Sequence, residues 1–402
     1  MLKYFKGRSI GYILRFLAVS PLALIFWIII EITNIFRPVF IVGLSHKGRI
    51  THYLFPMEQY LRNANQLSKK YTMIFVMPAT TPNEAVRTVY RRYSIIVDSH
   101  FPNFIRRTFS ILAELLKSRF TPELPGWQDL WQLEPATTLT DDELKFGDEL
   151  RQKLGIPKEA QYVCLGVREA NYYASITTDM GYGQNLSTWV KSSRNVNIEN
   201  YLPAATHLAN LGIYVVRMGS TVGAPLPKDR HPMIIDYATT ARSELGDIVL
   251  GAHCKFCISG AAGIWVFSIC RNRALMTGDV YGISLQWELL LGKFHLFTTR
   301  LLKQTKNRTL VPFSQMPGGG LGMIQDAELA ELGLEPIANT PDEILNAAIE
   351  MNDWIDGKLE LSEHDEELQT KFYNCYPPET RLEKNPLVRI SPSFLRKYQD
   401  LL

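Results

Sequence analysis

Short apolar runs of strand length alternate along the chain with segments whose apolar residues recur at helical spacing. In the first half the apolar runs are VFIVGL, TMIFVMP and YSIIVD, the first of them beginning at Val39. The segments MEQYLRNANQL and FIRRTFSILAELLKS have helical spacing and follow the first and third runs. Continuous apolar strands alternating with helices predict parallel βαβ units whose strands are buried on both faces.

The alternation is clearer in the second half. Strands YVCLGV, YVVRM and CKFCIS are separated by the helical segments NIENYLPAATHLANLG and SELGDIVLGAH, and GIWVFSICRN predicts one more helix. Asn197 is suited to cap the first of these helices and Gly212 to end it. The pattern predicts a doubly wound α/β sheet, with the proline-rich stretch 121–135 as the connection from the first half.

Length, charge and cysteine content narrow the class of protein. A chain of 402 residues exceeds one ordinary hydrophobic core, so we expect two domains. The 43 Lys and Arg residues are spread among 40 acidic ones, and a net charge of +3 argues against nucleic acid as a partner. Five scattered cysteines do not form a disulfide framework, which favours a reducing compartment.

The amino terminus differs from the rest of the chain. Residues Phe16 to Ile30 carry no charge, but this run is shorter than the ~20 apolar residues of a spanning helix. Pro21 and the surrounding basic residues favour a kinked, in-plane or re-entrant anchor. A signal peptide ranks second, because no small-residue cleavage site follows, and a buried core helix is weaker still. We expect residues 1–37 to form a hydrophobic membrane-associating segment.

Residues that directly follow the apolar runs are the most informative about ligands, because doubly wound sheets bind ligands beyond the carboxyl ends of their strands. They are Arg168 and Glu169, Arg217 to Ser220, and Ser259 to Gly263. Guanidinium groups bind phosphate oxygens through paired hydrogen bonds, and the small residues of SGAAG let backbone N–H groups approach an anion. The pattern predicts a phosphate-binding edge. The alternative for the two arginines is a salt bridge between domains.

The sequence HCKFC, from His253 to Cys257, raises the question of a metal or redox site. No second Cys or His pair stands elsewhere at the spacing of a zinc site. Free cysteines in a buried strand usually act as small apolar side chains. We therefore expect Cys254 and Cys257 to be structural, and His253 to end a helix.

Five segments in order resemble a bacterial group of glycosyltransferases from surface-polysaccharide gene clusters. They are RNVNIENYLPA, VVRMGS, IDYA, DIVLGAHCKFCISGAAG and NTPDEILNAAIEM. The resemblance covers about Val39 to Met351 and is strongest from Arg194 onward. It implies a GT-B fold, in which two Rossmann-like domains face each other across a cleft. The acceptor domain would occupy residues 38–135, and the donor domain, with a helical tail, 136–402.

The resemblance also implies a donor site for a nucleotide-diphosphate sugar. Arg168 matches an arginine placed against the diphosphate, and Gly263 closes a turn at the donor phosphates. The remaining matches follow the next strand or belong to the IDYA signature. The donor-binding residues expected in all are Arg168, Glu169, Arg217, Gly219, Ser220, Asp236, Tyr237, Ser259, Gly260 and Gly263. Asp236 is expected to order a loop more than to perform chemistry.

The first domain supplies the candidate base. Arg49, Ile50 and His52 resemble an arginine-isoleucine-glycine-histidine element of the same group, at the cleft. Histidine titrates near neutral pH, so we choose His52 as the base that deprotonates an acceptor hydroxyl, with His46 second. An exposed loop histidine without a catalytic role is the alternative reading.

Three departures from the resembled pattern bear on activity. Gly166 stands where a histidine is expected, Thr51 replaces a glycine of the first-domain element, and a serine-rich turn has become SGAAG. Two hydroxyl donors are therefore missing. Two further segments, 170–189 and 316–323, have the aromatic or glycine-rich composition of loops that close over a sugar, or of simple domain packing.

The resemblance thus implies a metal-independent glycosyltransferase without a cofactor. No Asp-x-Asp stands at a strand–loop junction to hold a divalent ion. The expected partners are a nucleotide sugar, a glycan or lipid-linked acceptor and the membrane surface, at the cytoplasmic face of the inner membrane. The alternatives are a nucleotide-sugar 2-epimerase of the same fold and a binding protein that has lost catalysis.

Overall fold

The structure, a computed structural model, describes residues 10–44, 49–79, 81–98, 132–170, 195–280, 293–316, 326–376 and 387–402. The chain divides into two compact units. The first comprises Met1–Gln128 with Pro135–Thr138, and the second comprises Asp129–Glu134 with Leu139–Leu402. The domain boundary expected after residue 135 falls within the stretch 129–138, which contributes to both units.

The first unit contains a parallel sheet of three strands in the order β1-β2-β3. Its strands are β1 (Val39–Gly43), β2 (Thr72–Met77) and β3 (Ile95–Asp98), and its helices are α1 (Ile10–Phe36), α2 (Thr51–Asn65) and α3 (Glu84–Arg91). The three strands predicted for this half are confirmed. Among the described residues, no helix combines the length and the apolar character needed to cross a membrane.

The second unit is built on a parallel sheet of seven strands in the order β12-β9-β8-β7-β4-β5-β6. The strands are β4 (Tyr162–Val167), β5 (Tyr214–Arg217), β6 (Ile234–Ile235), β7 (Phe256–Gly260), β8 (Ala274–Val280), β9 (His295–Thr299) and β12 (Val388–Ile390). Strands β10 (Leu301–Gln304) and β11 (Leu334–Ile337) form a separate antiparallel pair. The parallel α/β architecture predicted from the alternation is confirmed.

Helices separate these strands in sequence. They are α4 (Asp141–Lys153), α5 (Leu202–Asn210), α6 (Tyr237–Thr240), α7 (Glu244–His253), α8 (Val266–Ile269), α9 (Asp326–Glu331), α10 (Pro341–Ile355), α11 (Glu363–Asn374) and α12 (Pro392–Lys397). Short 3₁₀ turns cover Ile198–Tyr201, Gly263–Trp265, Phe313–Gln315 and Gln399–Leu401. The helix predicted from GIWVFSICRN is therefore only a 3₁₀ turn followed by the four residues of α8.

Local chemistry accounts for several helix ends. The Asn197 side chain accepts a hydrogen bond from the backbone N–H of Glu199, and Gly212 follows α5 with a φ of +81°. Thr340 and Glu343 form a reciprocal capping box at the start of α10. The core beneath is apolar, since Val163, Cys164 and Leu165 of β4 are at most 1% exposed. Each such side chain stabilises the fold by roughly 1.5–3 kcal/mol relative to exposure.

Candidate functional site

The carboxyl ends of β4 and β7 are joined directly. These strands are neighbours in the sheet, with Val167 opposite Gly260. The backbone N–H of Arg168, the residue after β4, donates a hydrogen bond of 2.8 Å to the carbonyl oxygen of Gly260. The strand order also reverses here, because the chain leaves β4 toward β5 and returns to β7 on the other side. Such a reversal opens a crevice at the strand ends, where doubly wound sheets bind ligands.

The turn after β7 is fixed by its own contacts. The Oγ of Ser259 donates to the carbonyl oxygen of Ala262 at 2.9 Å, and Ser259 is fully buried. Ala261 has a φ of +52°, in the left-handed region, and Gly263 begins a 3₁₀ turn. The Ser259 hydroxyl therefore donates its hydrogen bond within the turn. Residues 261–264 are half-buried.

Gly260 leaves room for the side chain of Tyr201. A Cβ at Gly260 would lie 2.7 Å from the Tyr201 hydroxyl oxygen, and a Cβ at Gly278 of the adjacent β8 would lie 2.5 Å from it. Both distances are shorter than real Cβ contacts, so neither glycine tolerates a side chain unless Tyr201 moves. The two glycines thus admit a buried tyrosine beside the turn.

The packing around Gly166 agrees with the absence of a histidine at this position. A Cβ at this position of β4 would lie 2.4 Å from Cγ2 of Ile264, the residue that follows Gly263. The space that the expected histidine side chain would enter is therefore occupied by Ile264. Restoring the histidine of the resembled group requires Ile264 to move.

Arg217 is the centre of a buried ion cluster. Its Nη2 lies 2.7 Å from Oε1 of Glu169, and its Nη1 lies 3.4 Å from Oδ1 of Asp236. Nη1 also donates to the carbonyl oxygen of Ala224 at 2.7 Å. The Arg217 side chain is 1% exposed. Glu169 and Asp236, both expected to contact the donor, thus contact Arg217 instead. The ion pair considered as the alternative lies within the second unit and not between domains.

The two carboxylates of this cluster hold the segment after β5. Oε2 of Glu169 accepts a hydrogen bond from the backbone N–H of Gly223, and Oδ2 of Asp236 accepts one from Leu226 at 2.8 Å. Gly219, with a φ of +149°, and the exposed Ser220 lie in the same segment. Asp236 therefore contacts the loop that it is expected to order.

Tyr237 lies inside the unit and connects α6 with α7. Its hydroxyl donates to the carbonyl oxygen of Ser243 at 2.8 Å and lies 3.3 Å from Oδ1 of Asp247. Burial raises the pKa of Asp247 to about 6, although the guanidinium of Arg242 at 2.8 Å counteracts the increase. Tyr237 is fully buried, and its hydroxyl bonds to these two neighbours inside the second unit.

A second buried cluster, which the sequence reasoning missed, lies at the ends of β8 and β9. Oδ2 of Asp279 accepts a hydrogen bond of 3.0 Å from Tyr201, while Oδ1 accepts one of 2.9 Å from the N–H of Asn339 and lies 3.2 Å from Nε of Arg300. Burial, with the neighbouring Asp279 carboxylate, keeps the pKa of Tyr201 well above its ordinary value. The Tyr201 hydroxyl therefore keeps its proton and donates it to Asp279. It lies beside Gly260, in the turn that begins at Ser259.

The signal for this cluster is present in the sequence. Arg300 follows the apolar strand β9 directly, in the same position that identified Arg168 after β4. Asp279 has a φ of +58° near the end of β8. The left-handed conformation of a non-glycine residue is uncommon, but it becomes visible only in the folded backbone.

The candidate base lies in the first unit. His52 was expected in a loop, but it is the second residue of α2, which begins at Thr51 because the chain already turns helically at Ile50. Its side chain is exposed. Arg49 and Ile50 directly precede the helix. His46 lies outside the described residues, as do most of the segments 170–189 and 316–323 and the predicted helix 104–118.

No group of three or more metal-ligating side chains occurs among the residues that the structure describes. Metal independence stays a prediction. Cys164, Cys254 and Cys257 are free thiols and at most 1% exposed, and His253 is the last residue of α7. The structural role expected of Cys254 and Cys257 fits this packing, because Cys254 donates to the carbonyl oxygen of Gly251 at 3.3 Å.

No protein-family model matches the chain, and no curated protein sequence matches it. Among solved structures, the chain is similar to a glycosyl transferase family 9 protein from Veillonella parvula, with 10% identity, a TM-score of 0.45 and coverage of 78% of this chain and 96% of that one. It is similar to the ADP-heptose LPS heptosyltransferase II of E. coli, with 13% identity, a TM-score of 0.38 and coverage of 66% and 90%.

The chain is also similar to the E. coli heptosyltransferase WaaC, whose structure holds ADP-2-deoxy-2-fluoro heptose. Here the identity is 12% and the TM-score 0.27, with coverage of 73% of this chain and 98% of that one.

Proposed function

We propose that this protein is a GT-B glycosyltransferase that transfers a sugar from a nucleotide-diphosphate donor. The acceptor would be a lipid-linked or polysaccharide glycan of the bacterial cell surface, and the reaction would take place at the cytoplasmic face of the inner membrane. The protein would need no cofactor and no metal ion.

One observation carries the proposal. Arg168 and the turn from Ser259 to Gly263 meet at the point where the strand order reverses, joined by the hydrogen bond from Arg168 N–H to the Gly260 carbonyl. This is the place where a doubly wound sheet binds a ligand. An arginine whose backbone is bonded to a turn of small residues suits a diphosphate site, because its guanidinium can supply positive charge and the turn lets backbone N–H groups approach.

The transfer reaction requires stabilisation of the negative charge that develops on the leaving diphosphate. Cleavage of a sugar from a nucleotide diphosphate develops negative charge on the diphosphate, and fixed cations and backbone dipoles stabilise that charge in the transition state. We assign Arg168 and the turn to this role. His52, with His46 as the second candidate, would take the proton of the acceptor hydroxyl.

We assign Arg217, Glu169 and Asp236 to the support of the site. Their ion cluster fixes the segment that carries Gly219 and Ser220 beyond the end of β5. Two carboxylates and the Ala224 carbonyl already bind both terminal nitrogens of Arg217, and its side chain is 1% exposed. A positioning role therefore agrees better with its contacts than the direct contact expected from sequence.

The test is incubation of the full chain with a panel of labelled nucleotide-diphosphate sugars and a membrane glycolipid fraction. The proposal expects a labelled glycan or glycolipid, and it expects the Arg168→Ala chain to form much less of it. The control is Arg308→Ala, which removes an exposed arginine from the same unit. An epimerised donor without transfer would identify the 2-epimerase instead.

A specific observation favours a second candidate, a binding protein without catalysis. The Ser259 hydroxyl is engaged with Ala262, and Ile264 fills the space of the missing histidine at Gly166. Binding of a nucleotide sugar with neither transfer nor epimerisation, across the full panel, would establish this alternative.

A further inference from the structure

Helix α1 exposes an apolar face to solvent. Ten of the fifteen large apolar side chains that are exposed among the described residues belong to this one helix. Six of them follow helical spacing and share one face, here called the apolar face: Ile25, Ile28, Ile29, Ile32, Ile35 and Phe36. Their exposed fractions run from 45% to 79%. Exposed apolar patches of this kind mark a binding surface.

The opposite face of α1 is more polar and half-buried. Trp27, Ile30, Glu31 and Asn34 recur with the same spacing and are half-buried. Oδ1 of Asn34 accepts a hydrogen bond of 2.7 Å from the backbone N–H of Val39, at the start of β1. In a helix that packs only on its own protein, apolar residues face the protein and polar residues face water. On α1 the face turned toward water is instead apolar.

The carboxyl end of the helix is fixed to the first unit. The guanidinium of Arg37 donates two hydrogen bonds, of 3.0 and 2.7 Å, to the carbonyl oxygen of Tyr71. Together with the Asn34 contact, they set the rotation of α1 about its own axis. The apolar face is therefore held outward by contacts at the base of the helix.

Charge identifies the occupant of the apolar face. Lys3, Lys6, Arg8 and Arg15 precede or lie within the apolar stretch, and Glu31 is the first acidic residue of the chain. Basic residues beside an apolar helix face bind anionic lipid headgroups. A second copy of the chain would instead bring a second set of the same positive charges to the interface.

We propose that the apolar face of α1 docks in the plane of an anionic lipid bilayer, with the face that carries Trp27 and Asn34 toward the protein. The uncharged run from Phe16 to Ile30 is too short for a straight span, and the outward apolar face suits burial in the headgroup and acyl boundary. The proposal supplies the location that the proposed glycosyl transfer assumes. It is tested without any sugar donor, so the two ideas fail separately.

The experiment is flotation of the purified full chain with vesicles of phosphatidylethanolamine and phosphatidylglycerol, or of phosphatidylcholine alone. The variant Ile25→Asp/Ile32→Asp charges the apolar face at two sites that are 55% and 56% exposed. The control Leu211→Asp/Leu332→Asp makes a leucine-to-aspartate change at sites of the second unit that are 56% and 58% exposed. Circular dichroism confirms that both chains fold, as expected for changes at exposed positions.

We expect the wild type and the control to float with anionic vesicles, less with phosphatidylcholine and less in high salt. We expect the α1 variant to lose binding by about tenfold or more, because two isoleucines no longer enter the lipid. Equal flotation of the variant would overturn the proposal. So would wild-type dimers that the variant abolishes, or wild-type protein that resists alkaline carbonate as a spanning helix does.

Discussion

The guanidinium of Arg217 and the carboxylate of Glu169 form an ion pair of 2.7 Å that links the carboxyl ends of β5 and β4. The pair is almost fully enclosed, because the Arg217 side chain is 1% exposed and that of Glu169 is 15% exposed. Charges in such a place depend on their partners. The arrangement separates two arginines that look equivalent in sequence, since Arg217 supports the edge of the sheet and Arg168 is the candidate contact of the ligand.

Replacement of Arg217 by Ala is expected to destabilise the protein. It leaves the carboxylates of Glu169 and Asp236 buried without their cation, which typically costs about 3–5 kcal/mol. Urea unfolding should show the loss, while Arg308→Ala, an exposed arginine of the same unit, should change the free energy of unfolding by less than ~1 kcal/mol. An Arg217→Ala chain as stable as wild type would contradict the positioning role.

Gly166 and Ile264 are expected to be energetically coupled. Gly166→Ala should destabilise the chain by about 1–3 kcal/mol, because its Cβ would meet Cγ2 of Ile264 at 2.4 Å. Ile264→Ala should remove most of that penalty in the double variant. A double-mutant cycle of unfolding free energies measures the coupling. Additive effects would mean that the two residues do not compete for the same space.

The protonation of Asp247 should make stability depend on pH. Its folded-state pKa of about 6 lies above the ordinary 3.8, so the folded protein binds this proton more tightly than the unfolded chain does. The contribution is therefore fully present below the ordinary pKa and is lost as the pH rises through about 6. Asp247→Asn should remove this component of the pH dependence. If wild type and Asp247→Asn show the same dependence of the free energy of unfolding on pH, the assignment is wrong.

Transfer activity should survive a chelator. The proposed diphosphate site consists of a guanidinium and backbone N–H groups, and neither requires a divalent ion. Activity would be measured with and without EDTA. Complete loss in EDTA, with recovery on addition of manganese, would show that a metal ion carries the diphosphate.

Six strands, β1 to β5 and β7, could be predicted because apolar periodicity is a local property of the sequence. The two-residue β6 and strands β8 to β12 were not predicted. The same patterns located Arg168 and SGAAG at strand ends, and the folded sheet brings them together at the reversal of strand order. Which side chains pair with each other in the fold is not a local property of the sequence. Arg217 lies 48 residues from Glu169 and 19 from Asp236, and nothing in the sequence shows that these side chains meet.

Two other features show where the sequence stops being informative. The start of α2 was missed because Ile50, at its N-cap position, makes no side-chain capping hydrogen bond, so His52 was placed in a loop. The cluster around Asp279 was missed for a different reason. Arg300 directly follows an apolar strand, as Arg168 does. A second apolar run comes after Arg300, however, and obscures where β9 ends.

The donor site is tested by calorimetric titration of nucleoside diphosphates into wild type, Arg168→Ala, Arg168→Lys and the control Arg308→Ala. If the Arg168 guanidinium holds the diphosphate, its loss removes a charge-assisted contact of ~1.5–3 kcal/mol, and affinity should fall by roughly ten- to a hundredfold. Lysine should restore only part of it, and the control should bind as wild type does. Unchanged affinity in a folded Arg168→Ala chain would contradict the assignment of the donor site to the crevice between β4 and β7.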